Sequence, residues 1–374
     1  MNRIYSFLVV WAFFLKSSIV FAGNTLPSIQ STASDEYGRL TVNGKPFFPI
    51  LMYDVPTDPA SLQMFREHGF NTLLGKPDVS DKLLANGFYT AVHVGKRPVK
   101  KHAGVLIGVG MDSPALYWKQ DLLEKAKADL ATMRRLVPKR AIMNAIGYWE
   151  DEPKSVYANK VPSKERYEEL VKVLDVSAPY LYPVPYQPVR SVSEAVERAN
   201  TASGGRKPLL PILQLFTWQT KDRYPTPAEL RCMAYLSLIH GADGIGYYSY
   251  NNVTGKKGTN IAKEQPALWQ AVKQINNEIA EMCPLLLEHN KASVVLQEGA
   301  PAVEFRALGG DGRTLLLLAN TASVAQTAVL RFPPHVATKS KRSIKALRGG
   351  KAILFEGAQV KVLLEPYHAL GLIE

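Results

Sequence analysis

Between about Phe47 and Glu281, short apolar runs alternate with segments whose apolar residues recur at helical spacing. The runs are FFPILMY, FNTLLG, FYTAVHV, AIGYW, APYLYPV, KPLLPILQLF and GADGIGYYSY. Helices are expected near Pro59–His68, Asp81–Asn86, Leu116–Leu136, Ser163–Leu174, Ser193–Ala202, Pro227–Ile239 and Gln265–Glu281. In the longest, Leu122, Leu123, Ala126, Leu130 and Met133 fall on one face. Thr226-Pro227 supplies a capping side chain and a first-turn proline to another. Such alternation argues for a parallel sheet with helices outside it. The number of units suits a (β/α)8 barrel better than an open sheet. HAGVLIGVG is either one of the barrel strands or a segment packed on the barrel rim.

After Leu287 the texture changes. ASVVLQE, AVEFRALG, RTLLLLANT, TAVLRF, SIKALRG, KAILFE and QVKVLLEP follow one another with turns and no helical pattern. They predict a small antiparallel β-sandwich. Before the first barrel run, RLTV and KPFF flank Asn43-Gly44, the favoured two-residue hairpin turn. The N-terminus carries Arg3, the apolar run FLVVWAFFL and a small-residue ending at Val20-Phe21-Ala22, as a secretory leader does. The run is short and is followed by Lys16, which favours a cleaved leader over a retained anchor. The expected layout is a leader over 1–22, a barrel over 23–287 and a sandwich over 288–374. No later segment is long and apolar enough to span a bilayer.

The formal net charge is +12, and loss of Arg3 and Lys16 with the leader lowers it by two. A basic excess fits an acidic polymer or a membrane surface, and equally an ordinary basic exported protein. The densest basic run, KRPVKKH at 96–102, has no interleaved aromatics, and no nucleic-acid motif is present. Cys232 and Cys283 fall on predicted neighbouring helices, either bridged or as two thiols. No zinc motif, paired cysteine cluster, calcium loop, nucleophile elbow or phosphate loop occurs, so no cofactor or metal is implied.

The chemistry-bearing segment is Gly147-Tyr148-Trp149-Glu150-Asp151-Glu152-Pro153. An apolar strand runs into three acidic residues and a proline that cannot continue the ladder. In a parallel barrel, the C-terminal strand ends are where chemistry sits. A carboxylate held there among aromatics can have a raised pKa and donate a proton. The other reading of the segment is an acidic loop that opens the next helix.

VNGKPFFPILMY, GFNTLL, GYWEDEP, PTPAELRCMAYLSLIHGADGIGYYSY and VLLEPYHALGLIE together resemble the clan A glycoside hydrolases. These are (β/α)8 barrels followed by a C-terminal β-sandwich. The resemblance implies that Glu152 is the general acid/base at the end of the fourth strand. It also implies that Asp151, in place of the family's Asn, accepts a hydrogen bond from a sugar hydroxyl. The family's nucleophile is a Glu at the end of the seventh strand. Here the matching strand, LLPILQLF, carries Gln214, an amide that can bind a sugar or orient water but cannot form a glycosyl ester.

Glycoside hydrolysis normally needs a second carboxylate. Asp54, at the end of the first strand, is the leading base; Glu150, Asp112 and Asp222 are the others, and Asp243 reads as a turn residue. Tyr53, Trp149, Tyr182, Tyr186, Trp218, Tyr248 and Tyr250 fall near strand ends, where aromatic faces suit the apolar C–H faces of sugars. His93, at the end of the third strand, is a further candidate for a sugar hydroxyl or carboxylate. The partner expected is a polysaccharide or oligosaccharide, neutral or acidic. Three readings follow: a hydrolase using Glu152, a non-catalytic carbohydrate-binding or envelope-assembly protein on the same barrel, and a lyase acting on acidic polysaccharide.

Overall fold

The computed structural model describes residues 26–94, 103–110, 120–147, 164–219, 221–251 and 259–288, and most of 290–373. It opens with three antiparallel strands, β1 (Thr32–Ser34), β2 (Leu40–Val42) and β3 (Lys45–Pro46). Asn43 and Gly44 both have positive φ, 53° and 78°. Those are the left-handed conformations a tight hairpin turn demands.

Eight parallel strands follow: β4 (Ile50–Met52), β5 (Thr72–Gly75), β6 (Tyr89–His93), β7 (Val105–Val109), β8 (Ala141–Ile146), β9 (Val176–Pro179), β10 (Ile212–Gln214) and β11 (Ile245–Tyr248). They pair in chain order from β4 to β9, while β11 pairs with both β4 and β10. Bridges from Ser177 to Leu209 and from Tyr180 to Ile212 bring β9 against β10, so the sheet closes on itself. HAGVLIGVG is therefore the fourth barrel strand. The strand leading into the acidic GYWEDEP segment is the fifth, not the fourth as the resemblance implies. β10, which carries Gln214, is the seventh.

The outer layer consists of α1 (Pro59–Glu67), α2 (Ser80–Ala85), α3 (Gln120–Leu136), α4 (Lys164–Val173), α5 (Ser191–Ala202), α6 (Pro227–Ile239), α7 (Ile261–Glu264) and α8 (Pro266–Glu288). Thr226 caps α6 in a reciprocal capping box with Glu229, satisfying two otherwise unpaired N–H groups. The two-residue period of each strand divides the barrel core. In β8, Ala141, Met143 and Ala145 fill the interior, while Ile142 and Ile146 pack with the helices.

The N-terminal sheet stops one end of the barrel. Ile29, Leu40 and Val42 join the interior cluster. Thr32 Oγ1 donates to the Leu106 carbonyl at 2.9 Å and accepts from Ala141 N at 2.7 Å. The Arg140 guanidinium donates to the Ile29 and Gln30 carbonyls at 2.7 and 2.8 Å. These partners lie at the beginnings of β7 and β8, so the open end is the C-terminal face of the strands.

The C-terminal region holds two antiparallel sheets. One contains β12 (Val295–Gly299), β15 (Gln326–Arg331) and β18 (Gln359–Leu364). The other contains β13 (Val303–Gly310), β14 (Arg313–Asn320), β19 (Ala369–Ile373), β16 (Ser343–Ala346) and β17 (Ala352–Leu354). The four leucines of β14 show why this region is not freestanding. Leu316 and Leu318 face the other sheet, whereas Leu315 and Leu317 belong to the barrel's own outer core. Helix α6 lies between and is buried nearly all round, as expected of a helix that is apolar on every side.

Polar contacts hold α6 to α8 and to the β-region. Arg231 Nη1 donates to Glu278 Oε1 at 2.9 Å, Tyr235 OH donates to Glu278 Oε2 at 2.6 Å, and Arg306 Nη1 donates to the Leu238 carbonyl at 2.7 Å. Cys232 and Cys283, on the neighbouring helices α6 and α8, are free rather than bridged. Burial pushes both thiols upward, which leaves them poor nucleophiles. Among the described residues, no helix is long and apolar enough to cross a membrane.

Candidate active site

The open end of the barrel gathers a polar group and an aromatic wall. Asp54 lies two residues past the end of β4 and has a positive φ of 55°, a left-handed conformation that Asp tolerates better than most residues. Asn251 Nδ2 donates to the Asp54 carbonyl at 2.8 Å, and Tyr250 N donates to the Tyr53 carbonyl at 3.0 Å. The chain after β11 thereby holds the end of β4 in place. The Ser249 hydroxyl is bonded to the Asp54 carboxylate and lies against the Asn251 carbonyl.

Asp54 reaches solvent, yet the surrounding protein strips enough water from it that burial raises its carboxyl pKa. The Ser249 hydrogen bond and the positive charge His93 can carry oppose that rise. His93, the last residue of β6, shows the converse. Burial lowers its pKa, while the Asp54 charge and a hydrogen bond to the Gly110 carbonyl raise it. Each group therefore resists its charged form, and each favours charge on the other.

The aromatic wall begins one residue away. Tyr53 is buried beneath the mouth, with Tyr248 set edge-on to it at 5.8 Å between centroids. Tyr248 stacks with Tyr182 at 6.1 Å, and Tyr182 stacks with Tyr180 at 5.2 Å. Phe216 meets Tyr182, Tyr248 and Trp218 edge-on at 4.9, 5.6 and 5.1 Å. Tyr180, Tyr182, Trp218 and Tyr248 are half-buried, and so keep surface available to a ligand. Tyr53, Tyr182, Trp218 and Tyr248, expected near strand ends, are brought together here. Tyr180, Phe216 and Ser249 were not singled out.

Two expectations fare differently. Tyr250 is buried among Phe65 and Trp269, at 4.9 and 5.4 Å, with its hydroxyl on Met64 Sδ at 3.8 Å. It belongs to the packing between barrel and helices, not to the mouth. The β11 ladder ends at Tyr248, so strand alternation no longer governs Tyr250. Gln214 is fully buried. Its Nε2 donates to the Val184 and Phe216 carbonyls at 2.8 and 3.1 Å, and its Oε1 accepts from Val184 N at 3.0 Å. That amide is committed to the backbone and presents nothing to a sugar.

Among the other carboxylates, Asp243 accepts from Leu209 N at 3.0 Å and is a structural turn residue. Asp222 is bound to the Tyr186 hydroxyl. Glu150, Asp151, Glu152, Trp149 and Asp112 lie outside the described residues. No cluster of three His, Cys, Asp or Glu among the described residues is placed to hold a metal ion.

No protein-family profile matches the chain, and no curated protein matches it. Solved structures do. A glycoside hydrolase superposes with a TM-score of 0.56 at 13% identity, covering 92% of this chain and 96% of its own. A family 5 glycoside hydrolase from Bacteroides vulgatus gives 0.54 at 14% identity, covering 92% of this chain and 93% of its own. A family 42 β-galactosidase from G. stearothermophilus gives 0.55 at 8% identity, covering 87% and 98%. At such identities the likeness concerns the fold. The chain has the (β/α)8-barrel-plus-β-domain architecture seen in these glycoside hydrolases.

Proposed function

We propose that the chain is an exported glycoside hydrolase that cleaves O-glycosidic bonds of a polysaccharide or oligosaccharide, with Glu152 as general acid/base. The observation that carries the reading is the barrel mouth. A carboxylate with a raised pKa stands at the end of the first strand beside a His whose pKa is lowered, next to half-buried aromatic faces. In the sequence, Glu152 comes six residues after Ile146, the last residue of the fifth strand. A protonated Glu152 would give its proton to the leaving glycosidic oxygen. Asp54, once ionised, would take a proton from the attacking water. His93, when protonated, would offset the charge of ionised Asp54, and Tyr182, Trp218 and Tyr248 would receive the apolar face of a sugar.

Because Gln214 is an amide locked to the backbone, the second carboxylate must come from elsewhere, and Asp54 is our assignment. The structural neighbours are sugar-active enzymes, one of them crystallised with maltose. The leader-like first 22 residues support a reading in which the activity lies outside the cytoplasm. Incubating the mature protein with neutral and acidic polysaccharides, and reading released sugars by mass spectrometry, tests the proposal. Release by the wild type but not by Glu152→Gln supports it; a fully active Glu152→Gln removes Glu152 from the mechanism.

Gln214 also favours a second reading, a non-catalytic carbohydrate-binding protein on the same barrel. Retention of a glycan without cleavage, equal for wild type and Glu152→Gln, would select it.

A further inference from the structure

The loops after β9 and β10 are braced to each other at three points. The Gln214 amide holds Val184 through both its N–H and its carbonyl. Trp218 Nε1 donates to the Tyr182 carbonyl at 3.2 Å. Farther along both loops, the Tyr186 hydroxyl bonds both carboxylate oxygens of Asp222, at 2.9 and 2.8 Å. Asp222 is itself anchored, since its Oδ2 accepts from Gln219 N at 3.0 Å. Despite that tether, 55% of the Tyr186 surface stays exposed.

An exposed tyrosine ordinarily samples several rotamers and loses that freedom when a ligand orders it. Here the phenol tip is already bound to a fixed carboxylate, so the ring is held in place before anything arrives. Its loop continues back to Tyr182, whose ring belongs to the aromatic wall of the mouth. We propose that Tyr186, clamped by Asp222, is a preorganised stacking platform at the rim. It would receive a sugar ring of a linear glycan chain whose neighbouring units occupy the mouth. Asp222 acts through Tyr186 and is a positioning residue.

The inference rests on the carbohydrate reading of the site. It goes beyond that reading in requiring a chain long enough to reach from mouth to rim. A platform of this kind recognises the apolar C–H face of a pyranose, which neutral glycans and uronate polymers share.

Affinity electrophoresis of the full-length mature protein carrying Glu152→Gln tests the proposal without depending on turnover. The gels contain soluble mixed-linkage β-glucan, arabinoxylan, galactomannan or polygalacturonate, the last separating acidic from neutral chains. Retardation is expected in at least one gel. Tyr186→Ala should weaken it about three- to tenfold, the value of one aromatic contact. Tyr186→Trp should restore it, a rescue that mere loop packing would not produce. Tyr186→Phe, which keeps the ring and loses the clamp, should fall between. Oligosaccharides of the retained polymer should compete better as they lengthen.

Equal retardation of Tyr186→Ala and its parent overturns the platform. So does competition by a disaccharide as strong as that by long chains, or retardation by none of the polymers. In the last case, hydrolysis of any glycoside by the wild type that is lost in Glu152→Gln would leave the enzymatic reading standing. A melting temperature for Tyr186→Ala near that of its parent excludes unfolding as the cause of a loss.

Discussion

At the scale of single residues, the behaviour of the mouth turns on Asp54 and His93. The fold disfavours the ionised form of Asp54, because burial is the largest influence on its pKa. Its unfavourable contribution to stability is therefore absent below the ordinary 3.8 and grows as pH rises through the raised folded value. For His93 the charged form is the costly one, so its unfavourable contribution is absent above the ordinary 6.5 and grows as pH falls through the lowered folded value. Asp54→Asn suits the left-handed backbone at that position and removes the disfavoured charge. It should raise the melting temperature at neutral pH and abolish turnover, a stability–activity exchange common at functional sites. Proton NMR should find the His93 imidazole titrating below 6.5 in the wild type. Its midpoint should fall further in Asp54→Asn, because the Asp54 charge raises it. A midpoint that does not move on that substitution would show that the two side chains do not interact.

At the scale of elements, the strand ends and their loops make the site. Their strengths can be read from buried hydrogen bonds. Gln214→Leu would leave the Val184 N–H and the Val184 and Phe216 carbonyls without their partner in a fully buried place. Unsatisfied buried groups of this kind cost about 1–3 kcal/mol each. A loss of at least about 3 kcal/mol on chemical denaturation is expected, with weaker glycan binding as the loop loosens. Gln214→Glu would set a carboxylate oxygen against the Val184 and Phe216 carbonyls. It should destabilise the protein too and should not create a nucleophile.

The elements were legible where periodicity was clear. The Asn43-Gly44 hairpin, the helices α1, α5 and α6 and most barrel strands follow from spacing and caps. HAGVLIGVG stayed ambiguous because no helical segment separates it from FYTAVHV, and a buried strand and a packed rim segment share the same apolar texture. The final strand ALGLI was not separated from the closing LLEPYHALGLIE, although Pro366 and Tyr367 mark a turn before it. Gln214 looked like a candidate ligand because an amide at a strand end is equally suited to sugar and to backbone. Only the nearby Val184, thirty residues earlier in the chain, decides between them.

At the scale of the whole molecule, barrel and β-region share one outer core. Leu308, Leu315, Leu317, Ala319 and Ala369 pack into the same cluster as the buried face of α8 and nearly all of α6. The apolar sequence of α6, PAELRCMAYLSLI, suits a helix covered on both sides, and the β-region supplies the second cover. At the junction, Glu278 receives both the Arg231 guanidinium and the Tyr235 hydroxyl. Glu278→Ala would leave Arg231 largely buried without its carboxylate, and breaking such a pair typically costs about 3–5 kcal/mol. Thermal unfolding should show one transition displaced downward, because the two regions melt together. Two separated transitions in the wild type would contradict a shared core. The positions of Tyr53, Tyr182, Trp218 and Tyr248 in the mouth were legible from strand ends alone. The outward burial of Tyr250 was not, since it depends on where the β11 ladder stops.

The most direct test of the central claim is cleavage in oxygen-18 water. Mature protein is incubated with a polysaccharide panel in labelled water and the products are read by mass spectrometry, with Glu152→Gln alongside. A glycoside hydrolase must place one heavy oxygen at each newly formed reducing end, and the variant must not. Unsaturated products without label would make the protein a lyase. Glycan that is bound but left whole would make the barrel a binding protein and contradict the account.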